Sequence, residues 1–352
     1  MTVTIEKEPF QKKLYPLGIL LKAMPLIAFT IPLALLYILN SPDMYLGSMS
    51  PQASFESMWK GRTFQLFFVW LIALEFILDW EVLKLKINLQ NKTRTLLYAM
   101  FMVLPIVYVL FEAYLGLNST ITNWATQGNI TFAAWMPLAI EYIAFSVLLV
   151  LAVGVSFGKK GVSGFALPAL FAAIVGVLYA IDNMFPYGEF TPFQMLVPAT
   201  TRFAAGVLSL MGNSVISGVE IATGMPTLEV TGSLGTAKFA IAWPCAGIES
   251  LLIFTAVSLL FLKRLNLSWK TKVGFFALGA SVTYFINVLR IATIFTLGMQ
   301  FGETSIQVQD FHFNYGPLIA MIWIIAYPLI IIGSASAWKK IRKSQPSLLN
   351  PA

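Results

Sequence analysis

One cysteine and one histidine, Cys245 and His312, serve all 352 residues of this chain. A lone cysteine excludes an internal disulfide, and the pair offers too few ligands for a zinc site. Charge is equally scarce. Charged residues make up 11% of the sequence, where a soluble domain carries about a quarter. That shortage excludes an ordinary soluble enzyme. No internal repeat, low-complexity tract or cofactor-binding motif is present, so no cofactor is expected. The N-terminus alternates Glu6, Lys7 and Glu8 before Lys12 and Lys13, unlike a cleavable signal peptide.

Apolar residues fill the space, at 58% of the chain with a mean hydropathy of +0.77. A spanning helix needs about 20 mainly apolar residues. Candidate spans are Leu17–Leu39, Thr63–Leu83, Thr95–Leu115, Phe132–Phe157, Val162–Ile181, Gly247–Leu262, Val273–Met299 and Pro317–Trp338. A further stretch, Phe193–Ile221, is apolar but interrupted by Pro198, Arg202, Gly212 and Gly218.

The net charge of +7 comes from short basic clusters between these runs, a placement that reports topology and contact with anionic lipid rather than nucleic acid. The clusters are Lys7/Lys12/Lys13, Lys84/Lys86/Lys92/Arg94, Lys159/Lys160, Lys263/Arg264/Lys270/Lys272 and Lys339/Lys340/Arg342/Lys343. All five face the cytoplasm only if Phe193–Ile221 is a re-entrant or interfacial helix. The expected fold is therefore an all-α integral membrane protein of about eight transmembrane helices, with both termini cytoplasmic. Residues 1–352 form a single polytopic membrane domain, with tails at 1–16 and 339–352. The polar loop Gly116–Trp135 has no Lys or Arg and falls outside, where Asn118 and Asn129 are permitted glycosylation sites.

On this topology Cys245 stands at the outer mouth of the Gly247 helix. Arg290 lies in the outer half of the next span, and His312 in the outer loop before the last one. None of the three was used to derive the topology, and all three reach one face. A cysteine and an imidazole together can perform nucleophilic chemistry. A helix start and a nearby cation are expected to lower the thiol pKa. An intramembrane arginine is costly and faces a polar interior, or pairs with a carboxylate such as Glu249. Each residue also has a plainer reading: a buried small hydrophobe for Cys245, an incidental loop residue for His312, snorkelling for Arg290.

Glu75 and Asp79 share a helix face and could relay protons, but beside Trp80 and Glu81 a structural or interfacial role fits better. Glu112 and Glu141 lie towards outer ends and are expected to be solvated. Alternation after Gly235 predicts a short β-hairpin within Leu228–Trp243, before the cysteine. Its edge could accept an extended peptide as an added strand.

Three motifs in order, Pro244-Cys245-Ala246-Gly247-Ile248, Asn287-Val288-Leu289-Arg290-Ile291, and His312 ahead of Gly316, resemble the exosortase/archaeosortase family. The likeness covers roughly the last 160 residues and places the catalytic core within 190–338; the first half is similar only in being hydrophobic. Family members often carry Ser after the Cys, where this chain has Ala246, and a basic or amide residue where it has Glu249. The Pro-Cys-Ala-Gly form and the retained histidine lean towards the archaeal branch.

The resemblance implies a membrane-embedded cysteine protease or transpeptidase at the extracytoplasmic face of the plasma membrane. Cys245 would be the nucleophile, Arg290 the stabiliser of thiolate and oxyanion, and His312 the general base and acid, with Asn287 and Glu249 in support. Its substrates would be surface proteins whose C-terminal sorting signal joins a short motif, one span and a basic tail. Cleavage through a thioester would pass them to water, a lipid or another envelope acceptor. Two other classes compete on the sequence alone: a transporter using Arg290 with intramembrane carboxylates, and a non-catalytic envelope assembly factor.

Overall fold

The computed structural model describes residues 8–39, 63–87, 91–185, 196–221 and 224–344. Every apolar run above contains helix. Among the described residues six helical segments are long and apolar enough to cross a membrane: Gly18–Leu36, Lys92–Tyr114, Ala133–Phe157, Ala166–Met184, Trp269–Phe301 and Ile306–Ser334. Two more apolar helices are shorter, Thr63–Asp79 at 17 residues and Ile248–Leu262 at 15. Helix is what lipid imposes, since each backbone amide must find its partner within the segment. The chain divides into two compact units, Met1–Pro186 and Tyr187–Ala352. The expected tails extend beyond the described residues at 1–7 and 345–352.

The first unit is helical. It comprises α1 (Glu8–Leu39), α2 (Thr63–Asp79), α3 (Lys92–Tyr114), α4 (Leu117–Gln127), α5 (Met136–Phe157), α6 (Lys159–Gly164) and α7 (Ala166–Met184). Aromatic rings join its helices: Phe29 of α1 meets Phe68 of α2 at 5.7 Å and Phe145 of α5 at 5.9 Å, edge to face. Such pairs contribute about 0.5–1.5 kcal/mol each beyond area burial. At the end of α2, Phe76 packs on Phe157 and Phe165. There Lys22 donates to the Trp80 carbonyl and sits 4.3 Å over the Trp80 ring.

Three expectations for this unit need correction. The loop Gly116–Trp135 contains α4, because Leu117, Ile121 and Ala125 fall on one face and pack on Met136. Glu112 and Glu141 are not solvated. They are 5% and 1% exposed, and each accepts from a side-chain amide, Glu112 from Asn118 at 2.9 Å and Glu141 from Gln65 at 2.5 Å. Asn118 is thereby buried and engaged, whereas Asn129 is exposed in a left-handed conformation, φ 55°.

The second unit runs α8 (Val197–Leu210), strands β1 (Ser214–Val219), β2 (Pro226–Gly232) and β3 (Gly235–Ala240), then α9 (Ile248–Leu262) and α10 (Trp269–Phe301). A short helix α11 (Ile306–Asp310) continues through a π-helical turn, Phe311–Tyr315, into α12 (Gly316–Ser344). The expected hairpin is present as β2–β3, paired from Thr227↔Ala240 to Gly232↔Gly235.

What the sequence reading missed is β1. The stretch assigned to one re-entrant or interfacial helix is a 14-residue helix followed by a strand antiparallel to β2; its first residues, 193–195, lie outside the described ones. The β-branched Val215, Ile216 and Val219 favour strand over helix, and pairing with β2 satisfies the backbone. Leu228, Val230 and Ala237 are buried beneath this sheet, and Phe239 meets Phe295 of α10 edge to face at 5.1 Å. The sheet thus rests on α10, the helix that carries Asn287 and Arg290.

Candidate active site

Between β3 and α9 the chain makes one tight turn, Trp243–Ala246, with the Cys245 amide donating to Ala242 O at 3.1 Å. Gly247 then takes φ +86°, which side-chain-bearing residues rarely adopt. A Cβ there would also lie 2.7 Å from Asn287 Cγ. This closeness lets Asn287 Nδ2 donate to the Cys245 carbonyl at 2.9 Å. On the next peptide, Thr200 Oγ1 lies 3.4 Å from Ala246 O and 2.9 Å from the Tyr284 hydroxyl. Side chains from α8 and α10 therefore hold the carbonyls of Cys245 and its neighbour.

His312 is not in a free loop. It belongs to the π-helical turn that joins α11 to α12. One extra residue per turn re-aims side chains locally, and such turns recur at functional sites. Here Nε2 reaches 3.9 Å from Cys245 Sγ. Arg290 fastens the same turn: its guanidinium donates to the His312 carbonyl at 2.8 Å. The stem lies against Gly316, where an added Cβ would come within 2.6 Å of Nε. That Nε is buried without a hydrogen-bond partner, as is Asn287 Oδ1. A buried donor or acceptor left unmet costs about 1–3 kcal/mol.

The structure brings Cys245, His312, Arg290 and Asn287 together from three sequence regions. Glu249 stands in the first turn of α9, and its charge also acts on the thiol. The direction of the thiol's pKa reverses the expectation. Burial pushes Cys245 above its ordinary value; the charge of Arg290 pulls it down and that of Glu249 pushes it up. The turn precedes α9 and is cut off from it by Gly247, so the thiol does not sit on the free amides of a helix start. The half-buried thiol has an imidazole nitrogen 3.9 Å away, a base within reach of its proton.

Thr200, Tyr284 and the cavity beside Cys245 were not found from sequence. A threonine in Pro198-Ala199-Thr200-Thr201 carries no periodic or motif signal. The cavity, about 210 Å³, is lined by Cys245 and His312 with Phe239, Ile241 and Ile294 among its apolar walls. A more open depression in the first unit, around Gly154, Lys159 and Val162, has no cysteine, histidine or carboxylate in its lining.

No curated protein and no solved structure matches this chain. A family model does: that of the transmembrane exosortases matches residues 58–329. The match starts well inside the first half, so the likeness is broader than the last 160 residues alone suggest. It takes in the cysteine turn, α10 and the π-helical turn. Spanning more than half of the sequence, it establishes that this multi-pass membrane protein belongs to the transmembrane exosortase family, membrane-embedded transpeptidases that process sorting-signal-bearing proteins.

Proposed function

We propose that Cys245 is the nucleophile of a cysteine transpeptidase reaction on the C-terminal sorting signal of surface proteins. The contact that carries this reading is the 3.9 Å approach of Sγ to His312 Nε2, in a turn anchored by Arg290. On substrate binding the thiol proton passes to Nε2 as sulfur attacks the scissile carbonyl. A C–S bond forms and the carbonyl π electrons move to oxygen. Arg290, whose charge acts on Cys245, stabilises that oxyanion as a fixed cation in a poorly hydrated site. Collapse breaks the C–N bond, and the imidazolium returns its proton to the leaving amine. The thioester is then resolved by a lipid amine, another envelope nucleophile or water.

Asn287 and Thr200 position the cysteine turn in this scheme. The transporter reading gives no role to the bond from Arg290 to the His312 carbonyl or to the approach of His312 to Cys245. An assembly factor would have no use for a thiol held against an imidazole.

The topology we infer counts α2 and α9 with the six longer segments, giving eight crossings and cytoplasmic termini. The site then lies at the extracytoplasmic face. The five basic clusters support this, as does the position of Arg290, about 30 Å along α10 from Trp269, near the far limit of a hydrocarbon core of about 30 Å. The direct test is processing in cells: Cys245→Ala should accumulate full-length precursor of a protein ending in motif, span and basic tail. Normal processing by that variant would remove covalent catalysis at Cys245.

A further inference from the structure

The register of β3 places open backbone groups beside the nucleophile. Among the described residues β3 is an outer strand of the sheet, paired only to β2. The amide of Ile241 donates to Pro226 O at 2.8 Å, so residues of that parity, Phe239 and Ile241, turn their backbone groups towards β2. Lys238 and Ala240 turn theirs away. Lys238 confirms it, since its amide donates outwards to the Glu303 carboxylate at 2.7 Å. That carboxylate closes the edge at Lys238, as natural sheets close exposed edges. Two residues nearer the cysteine, Ala240 is exposed, and among the described residues its outward N–H and C=O meet no partner.

Ala240 also lines the cavity of about 210 Å³ that Cys245 and His312 share. Its other walls include Phe239, Ile291, Ile294, Phe295 and Val308, with no Asp, Glu, Lys or Arg in the lining. Whatever presents a carbonyl to Sγ must put its adjoining side chain here.

We propose that the open end of β3 and this cavity form the subsite for the scissile segment: the substrate runs extended along Ala240, pairing with its N–H and C=O, and buries a large apolar side chain from the residue whose carbonyl is attacked. This rests on the cysteine-transpeptidase reading. Strand addition supplies affinity through the main chain and leaves selectivity to the pocket. A charged residue would lose its hydration there with no ion-pair partner of opposite charge in the lining, whose polar side chains are Cys245, Gln309 and His312. Glu303 restricts pairing to the Ala240 end, which sets one register and so one carbonyl at sulfur.

The test uses the full chain in lipid vesicles and two peptidyl chloromethyl ketones, Ala-Ala-Leu and Ala-Ala-Asp, with iodoacetamide as the small reference. In each case sulfur displaces the halide, forming a C–S bond while the thiol proton leaves. Each peptide rate is read as its ratio to the iodoacetamide rate, by mass spectrometry of the peptide containing Cys245. The leucine probe should exceed the aspartate probe by about tenfold or more. Ala240→Pro removes only an N–H that faces away from the ladder, which an edge strand tolerates, and should lower the leucine ratio about tenfold. A leucine probe with an ester in place of the pairing amide should show a similar loss on the unaltered protein, so the result does not depend on how the proline variant folds. Equal leucine and aspartate ratios, or no effect of the ester, would overturn the subsite while leaving the cysteine chemistry standing. A Cys245 inert to all three reagents would overturn both.

Discussion

The two units place their buried polar side chains against different neighbours. In the first, Glu112 and Glu141 are each met by a side-chain amide, from Asn118 and Gln65, and Ser146 donates to the Ala169 carbonyl at 2.7 Å. These pairs hold helices together. Buried atoms without a hydrogen-bond partner occur in both units; Gln65 Oε1 lies among the helices of the first, whereas Arg290 Nε and Asn287 Oδ1 of the second lie on the helix that flanks the only thiol. Satisfied polar groups in a membrane body are structural glue. In the proposed mechanism Arg290 and Asn287 serve the reacting cysteine rather than the joining of helices.

The largest effect that could break this contrast is at Cys245. Cys245→Ala should abolish processing, and Cys245→Ser should leave only a trace, because an alcohol is far harder to deprotonate than a thiol; in both, the protein should still accumulate in the membrane. Glu141→Ala in the first unit should do the reverse. It leaves Gln65 buried without its acceptor, lowering stability by about 1–3 kcal/mol, with processing per molecule retained. If Glu141→Ala stopped processing in a fully folded protein, the division of labour would fail.

Arg290 comes next. Loss of fixed oxyanion stabilisation costs about 10²–10³ in turnover, and Arg290→Lys should not restore it, since an ammonium lacks the planar guanidinium that bonds the His312 carbonyl. Removing Glu249 together with Arg290 should leave turnover low. Recovery in that double variant would reduce the arginine to a charge-balancing role.

Smaller effects sharpen the picture of the cysteine turn. Asn287→Ala deletes the donor to the Cys245 carbonyl and should reduce turnover about tenfold, with the thiol still alkylated by iodoacetamide. Thr200→Val is nearly the same size and removes one hydroxyl near Ala246 O, so it should cost only about 0.5–1.5 kcal/mol. Single-turnover rates on the leucine probe would order the two, and a larger loss at Thr200 than at Asn287 would contradict the geometry.

Much of this was legible in the sequence because lipid leaves little freedom. A long apolar run must be helix, and each proposed run contains one. The convergence of Cys245, Arg290 and His312 could be anticipated because charge clusters set the order of crossings without using those residues. Other features resisted for local reasons. β1 hid because Val215 and Ile216 continue an apolar stretch whose hydropathy looks alike for strand and helix. Glu112 and Glu141 looked solvated because their amide partners, Asn118 and Gln65, follow no periodic pattern around them. The π-helical turn could not be seen at all, since Phe311–Tyr315 reads as an ordinary loop until Arg290 and Gly316 are packed against it. The thiol's direction was misjudged because burial of Cys245, the dominant cause, leaves no mark in the sequence.

The account turns on a thiol raised by burial, restrained by Arg290 and deprotonated only as it reacts. The pH dependence of Cys245 alkylation by iodoacetamide, measured in the wild-type chain and in Arg290→Ala, tests this directly. Burial is the dominant cause and raises the thiol, so alkylation should climb to a midpoint above the ordinary cysteine value of about 8.5. Arg290 acts in the lowering direction, so its removal should move the midpoint higher still. A wild-type midpoint well below 8.5 would mean a resting thiolate, and a midpoint that ignores Arg290 would mean the arginine does not act on the sulfur; either result would contradict the account.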